Sequence, residues 1–191
     1  WMKRKAAERN CAIAGSVAVC ENGNYYNRFY FVYPDGAVQH YDKKHLFTFG
    51  GEHKRFTAGT ERVVVNFRGV RILLEVCYDL RFPVWARNLG DYDMILYVAS
   101  WPTPRVDAWS ALLRARAIEN QCYVAGVNRM GVDPACEYSG GSAIIDPYGK
   151  TIAECPWGRE SAVSADIDME ALQTFRKKFP VLDDADPFTL I

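Results

Sequence analysis

The chain has 191 residues, 49% hydrophobic and 24% charged, an ordinary globular composition that excludes collagen, coiled coil and disorder. Its 23 Lys and Arg balance 23 Asp and Glu. No basic excess is therefore available for a phosphate backbone, and no nucleic-acid partner is expected. No apolar run approaches the roughly 18 residues of a membrane span and no signal peptide is visible, so no membrane partner is expected.

Residues 1–10 read as the tail of a helix that opens at Trp1 rather than at Met. The expectation is one domain over 1–191, incomplete at its N-terminus. Cys11–Cys20 is small, β-branched and nearly all apolar, the pattern of a strand buried on both faces. Asn22-Gly23-Asn24 signals a turn, and 27–33 and 37–41 read as strands joined at Pro34-Asp35-Gly36. Residues 43–60 show no period and hold Gly50, Gly51 and Gly59, as a function-bearing loop does.

Strands at 63–67 and 70–76 form a hairpin around Arg68-Gly69, and Pro83 opens a short helix to Leu89. A buried strand at 94–99, a helix at 107–119 and a buried strand at 122–127 follow. A hairpin spans 142–153 around Asp146-Pro147-Tyr148-Gly149. The last elements are a strand at 162–167 and a helix capped by Asp168 that runs through Lys178. Strands alternating with helices, with hairpins between them, predict an α/β layered sandwich.

The six cysteines contain no CxxC pair, so they read as free thiols of a reducing, cytoplasmic protein. His40, His45 and His53 lack the carboxylates and spacing of a metal site, and no metal is expected. Cys77 stands at a strand end, two residues before Asp79 and six before Pro83. It reads equally as a core thiol or as the nucleophile of a sharp strand-to-helix elbow, its pKa lowered by the helix N-terminus. Lys43 follows a strand end, and is either a solvated charge or a cation reaching over the sheet edge. Glu52 is open in the same way, as a surface charge or a buried carboxylate.

The segments YDKKHLF, GGEHKRFTAG, EVCYDLRFPVWARN and RARAIENQCYVAGVNRMG, in this order, resemble the nitrilase superfamily of carbon-nitrogen hydrolases, most of all its omega-amidase branch. The resemblance implies a four-layer α-β-β-α sandwich, here lacking its N-terminal segment. It also implies a Glu-Lys-Cys triad that hydrolyses amides through a thioester. Cys77 matches the nucleophile, Lys43 the lysine and Glu52 a second, supporting glutamate. Lys43 and the backbone N–H of Tyr78 are then the oxyanion donors. No cofactor enters, and a cytoplasmic homodimer is implied.

The branch points to 2-oxo dicarboxylic monoamides such as 2-oxoglutaramate, whose free carboxylate needs a donor. Arg81 is the first candidate and Arg105 the second, with Trp101 as a pocket wall. Arg81 also reads as a structural ion pair, and Trp101 as a core or interface aromatic. Arg116, Glu119 and Asn120 read as structural. The family's general-base glutamate lies in a loop upstream of the first strand and has no match in this chain. Glu8 and Glu21 stand in no such motif. Hydrolysis of an N-carbamoyl amide or a nitrile is the same-fold alternative. A catalytically inactive binding or scaffold protein is the alternative of another class.

Overall fold

The computed structural model describes residues 1–189; Leu190 and Ile191, the end of the expected domain, lie outside them. Turn chemistry sets up the first sheet. β1 (Ile13–Glu21) and β2 (Asn24–Val32) pair antiparallel around Asn22-Gly23, both at positive φ (50° and 79°). That is the twist-matched turn geometry that Asn-Gly favours. β2 turns through Pro34-Asp35-Gly36 into β3 (Val38–Asp42), which completes a three-stranded sheet. α1 (Met2–Arg9) packs against β1 and β2.

The second sheet is six-stranded and mixed, with order β11-β10-β7-β6-β5-β4. β4 (Val64–Phe67) and β5 (Val70–Val76) are the expected hairpin. β5, β6 (Met94–Ala99) and β7 (Tyr123–Asn128) run parallel. β10 (Ala143–Ile145) and β11 (Thr151–Glu154) add the other edge antiparallel.

Strand alternation decides which side chain enters which core. Ile72, Leu74 and Val76 of β5 meet Phe29, Phe31 and Tyr41 of the other sheet. Leu73 points the opposite way, into a cluster with Ile95, Tyr97, Val124 and the α3 (Val106–Glu119) residues Trp109 and Leu113. The layers are thus helix, sheet, sheet, helix, as expected. α4 (Met169–Lys178) starts at Asp168, whose carboxylate accepts from Ala171 N at 2.8 Å. Among the described residues no helix is long and apolar enough to cross a membrane.

Three expectations are corrected. β1 is not buried on both faces: Ser16, Val17 and Ala18 are exposed. Its residues are apolar but small, and small side chains carry little area to demand burial. Residues 162–167 form no strand, because no neighbour pairs with them, and alternation alone makes no ladder. The helix at Pro83, α2, ends at Ala86, and a 3-10 turn over Cys77–Arg81 precedes it. The short pair β8 (Met130–Val132) and β9 (Glu137–Ser139) has no signal in the periodicity.

Candidate active site

The parallel strands β5, β6 and β7 end on one rim, and open sheets of this kind bind ligands beyond those carboxyl ends. Cys77 follows β5, Ser100 and Trp101 follow β6, and Arg129 follows β7. The three-stranded sheet contributes Asn27 from β2 and Lys43 just after β3. Together they line a cleft of about 530 Å³, with Glu52, Tyr78, Arg81 and Arg105 also on its wall.

Cys77 sits at φ 50°, a left-handed conformation that costs a non-glycine residue roughly 1–2 kcal/mol. Its Sγ lies 3.8 Å from the Ser100 carbonyl. The turn that begins at Cys77 leaves the N–H groups of Cys77 and Tyr78 without partners inside it, as in the first turn of any helix. An oxyanion beside Sγ would find such donors there. The thiol's acidity differs from expectation. Burial pushes its pKa up, and the carboxylates of Glu52 and Asp79 add to that. The Lys43 ammonium and the Ser100 contact pull it back only in part. Desolvation here outweighs the dipole of a short turn.

Lys43 is buried to 3% exposure, rare for a lysine without a partner, and its Nζ donates to Glu52 Oε2 at 2.6 Å. The same oxygen accepts from Phe47 N at 2.6 Å, and Oε1 accepts from Asn27 Nδ2 at 3.2 Å. Burial raises the Glu52 pKa, but Lys43, the Phe47 N–H and Asn27 outweigh it and leave it below 4.5. A lowered carboxylate pKa means the pair is complete above the ordinary value and is lost as pH falls through the lowered one. The backbone at Lys43 is closed by Gly59, whose N–H donates to the Lys43 carbonyl at 2.9 Å. A Cβ there would meet Asp42 O at 2.0 Å, so only glycine allows the approach.

Trp101 is buried and held at both ends. Its N–H donates to Asn128 Oδ1 and its Nε1 to the Arg105 carbonyl, each at 2.7 Å. The Arg81 guanidinium lies over the Trp101 ring at 5.0 Å and is exposed, and Arg105 lies over Phe47 at 5.3 Å. Neither has an ion-pair partner among the described residues, whereas Arg129 reaches Asp133 at 3.7 Å. Arg116, Glu119 and Asn120 lie outside the cleft; Arg116 donates to the Leu80 carbonyl at 2.6 Å and pairs with Glu119.

Sequence reasoning passed over Asn27, Arg129 and Asp79. Arg129 carried a usable signal, its place just after a buried strand, the same signal that marked Cys77. All six cysteines are free, and no cluster of three metal-ligating side chains occurs among the described residues. His45 instead places Nδ1 2.8 Å from Asp79.

The family model described as carbon-nitrogen hydrolase matches residues 1–177. The chain is 53% identical to the omega-amidase YafV of Escherichia coli K12, over all of this chain and 75% of that protein. It is 42% identical to a 2-oxoglutaramate amidase of Bacillus subtilis, over 96% of this chain and 72% of that one. It is also similar to a CN-hydrolase superfamily protein of Xanthomonas campestris, solved with an arsenic adduct in the active site. The TM-score is 0.97 at 46% identity, over all of this chain and 75% of the other.

Proposed function

The chain belongs to the carbon-nitrogen hydrolase family, and from that premise we propose that it is an omega-amidase. It hydrolyses a small 2-oxo dicarboxylic monoamide, of the 2-oxoglutaramate kind, to the acid and ammonia. The observation that carries this reading is one cleft that holds Cys77 and the buried Lys43 together with Arg81 and Arg105.

Because burial raises the Cys77 pKa, the resting thiol needs a base. Glu52 is a poor one, since its oxygens already accept from Lys43, Phe47 and Asn27. The family resemblance assigns the proton to another glutamate, which precedes the first strand. The thiolate attacks the amide carbon and the carbonyl oxygen becomes an oxyanion, met by the Lys43 ammonium and the Tyr78 N–H. One such donor is typically worth ~3–4 kcal/mol. The base returns its proton to the nitrogen, ammonia leaves, and a thioester remains on Cys77. Water, deprotonated by the same carboxylate, then releases the acid and the thiol. Arg81 or Arg105 meets the far carboxylate, whose desolvation needs a charged partner, and Trp101 forms the wall. No cofactor is needed. We place the enzyme in the cytoplasm as a homodimer, and its six free thiols are in keeping with a reducing compartment.

The test is ammonia release by the full-length protein from 2-oxo monoamides, neutral short amides, nitriles and N-carbamoyl compounds. The 2-oxo monoamides are expected to give the highest kcat/KM. A nitrile or carbamoyl compound turned over faster would overturn the assignment.

A further inference from the structure

We propose that Asp79 is a positioning residue that holds Lys43 against Cys77, with Tyr41 and His45 as its two arms. The proposal rests on the reading of Lys43 and Cys77 as a catalytic pair. Asp79 is fully buried, and both its oxygens are filled. Oδ2 accepts from Tyr41 Oη at 2.9 Å and from Val76 N at 3.0 Å. Oδ1 accepts from His45 N at 2.9 Å, and His45 Nδ1 stands 2.8 Å from it. Tyr41 Oη in turn accepts from Lys44 N at 3.0 Å.

These contacts form a pattern. Tyr41, Lys44 and His45 lie on both sides of Lys43 in the chain. Val76 and Asp79 lie on both sides of Cys77. One carboxylate therefore ties the segment that carries the ammonium to the elbow that carries the thiol. The His45 ring is itself oriented, stacked on Phe82 at 3.8 Å and edge-on to Trp85. Phe82 closes the turn that begins at Cys77. None of Asp79, Tyr41 and His45 lines the cleft, so they act through Lys43 and Cys77 rather than on substrate. A buried carboxylate is a poor source of stability compared with an apolar side chain of equal volume, and it is better suited to fixing one arrangement. Misplacing a reacting group by about 1 Å typically costs ~10²-fold in rate, so fixing this arrangement has kinetic value. Glu75, buried two residues before Cys77, has no hydrogen-bond partner, and its ionisation is disfavoured by burial and by Asp79.

Tyr41→Phe and His45→Ala each remove one donor and leave the carboxylate the rest. His45→Asn keeps an amide N–H where Nδ1 stood. Melting temperatures establish that each variant is folded. The readouts are the pH profile of Cys77 alkylation by iodoacetamide and the kinetics of ammonia release, with Lys43→Met as reference. The groups that face Cys77 are Lys43, Glu52, Asp79 and the Ser100 carbonyl, so loss of the ammonium moves the profile to higher pH.

If Asp79 positions Lys43, Tyr41→Phe and His45→Ala move the profile in the same direction. They lower kcat by about tenfold with KM little changed. They add nothing further in the Lys43→Met background, and His45→Asn restores both readouts. An unmoved profile in both variants, while Lys43→Met does move it, overturns the proposal. Equal losses in the presence and absence of Lys43 also overturn it, since the effect is then general loosening. If Lys43→Met itself changes neither readout, the catalytic pairing fails, and the proposal falls with it.

Discussion

Lys43 and Lys44 are neighbours, yet the fold gives them unlike surroundings. The chain bends just after β3, and the two side chains leave in different directions. Lys43 turns into the cleft and is gripped by Glu52, while the Lys44 ammonium lies over the Trp85 ring at 5.2 Å. The Lys44 backbone N–H binds Tyr41, but its side chain is not needed for that. Lys43→Met should therefore lower ammonia release by at least ~10²-fold, the usual cost of an oxyanion donor, and should also lower the melting temperature, because it strips the largely buried Glu52 carboxylate of its cation. Lys44→Met should change it by less than about twofold, because its side chain does not line the cleft and its half-buried cation–π contact is worth at most ~2 kcal/mol to stability. Steady-state rates of the two variants decide this, and equal losses would mean that the wrong lysine has been assigned. Glu52 was an open alternative between surface charge and buried carboxylate. The structure resolves it only because Asn27 and Phe47, 25 and 5 residues away, converge on its oxygens.

At the scale of elements, the seat of α3 on β7 is set by one residue. A Cβ at Gly126 would lie 2.5 Å from Leu113 Cδ1 and 2.8 Å from Trp109 Cζ2, both on α3. Glycine here lets the helix sit close to the sheet. The consequence reaches the site, because Arg116 on the same helix holds the Leu80 carbonyl in the elbow turn. Gly126→Ala should cost ~1–3 kcal/mol by overpacking, with the denaturant m-value unchanged. It should also slow turnover through the displaced elbow. A urea titration that shows no destabilisation would mean that α3 has room to spare.

At the scale of the molecule, the cleft belongs to neither sheet alone. Lys43, Glu52 and Asn27 come with the three-stranded sheet; Cys77, Trp101 and Arg129 come from the strand ends of the other. Packing the two sheets face to face is what assembles the chemistry. Arg81 lies at the open side of this cleft, over Trp101, and is exposed rather than buried as an ion pair. It is free to meet a carboxylate that covers it on binding. Arg81→Ala is expected to lower kcat/KM for a carboxylate-bearing omega-amide by ~10-fold, about 1.4 kcal/mol, and to leave a neutral short amide nearly unchanged. The ratio of the two constants is the measurement. Parallel losses on both substrates would assign Arg81 to the structure of the wall, with Arg105 left to bind the carboxylate.

The hairpin turns at Asn22-Gly23 and Arg68-Gly69, the Asp168 cap, the helix at 107–119 and the strand at 94–99 are all legible in the sequence. Each depends on neighbours a few residues apart, through a positive φ, a local hydrogen bond or a period. Cys77 and Lys43 were singled out by resemblance, as motifs of adjacent residues, and the structure brings both to one cleft. What the sequence left open or gave wrongly depends on contacts between residues far apart in the chain. The exposure of β1 and the absence of a ladder at 162–167 depend on which strands find a partner. The raised pKa of Cys77 depends on how much water the packed sheets exclude. The convergence of Tyr41, His45 and Val76 on Asp79 spans up to 38 residues. Local pattern picks out the side chains proposed to carry chemistry, but desolvation and hydrogen-bond geometry, which set a side chain's reactivity, arise only when the two sheets close on each other.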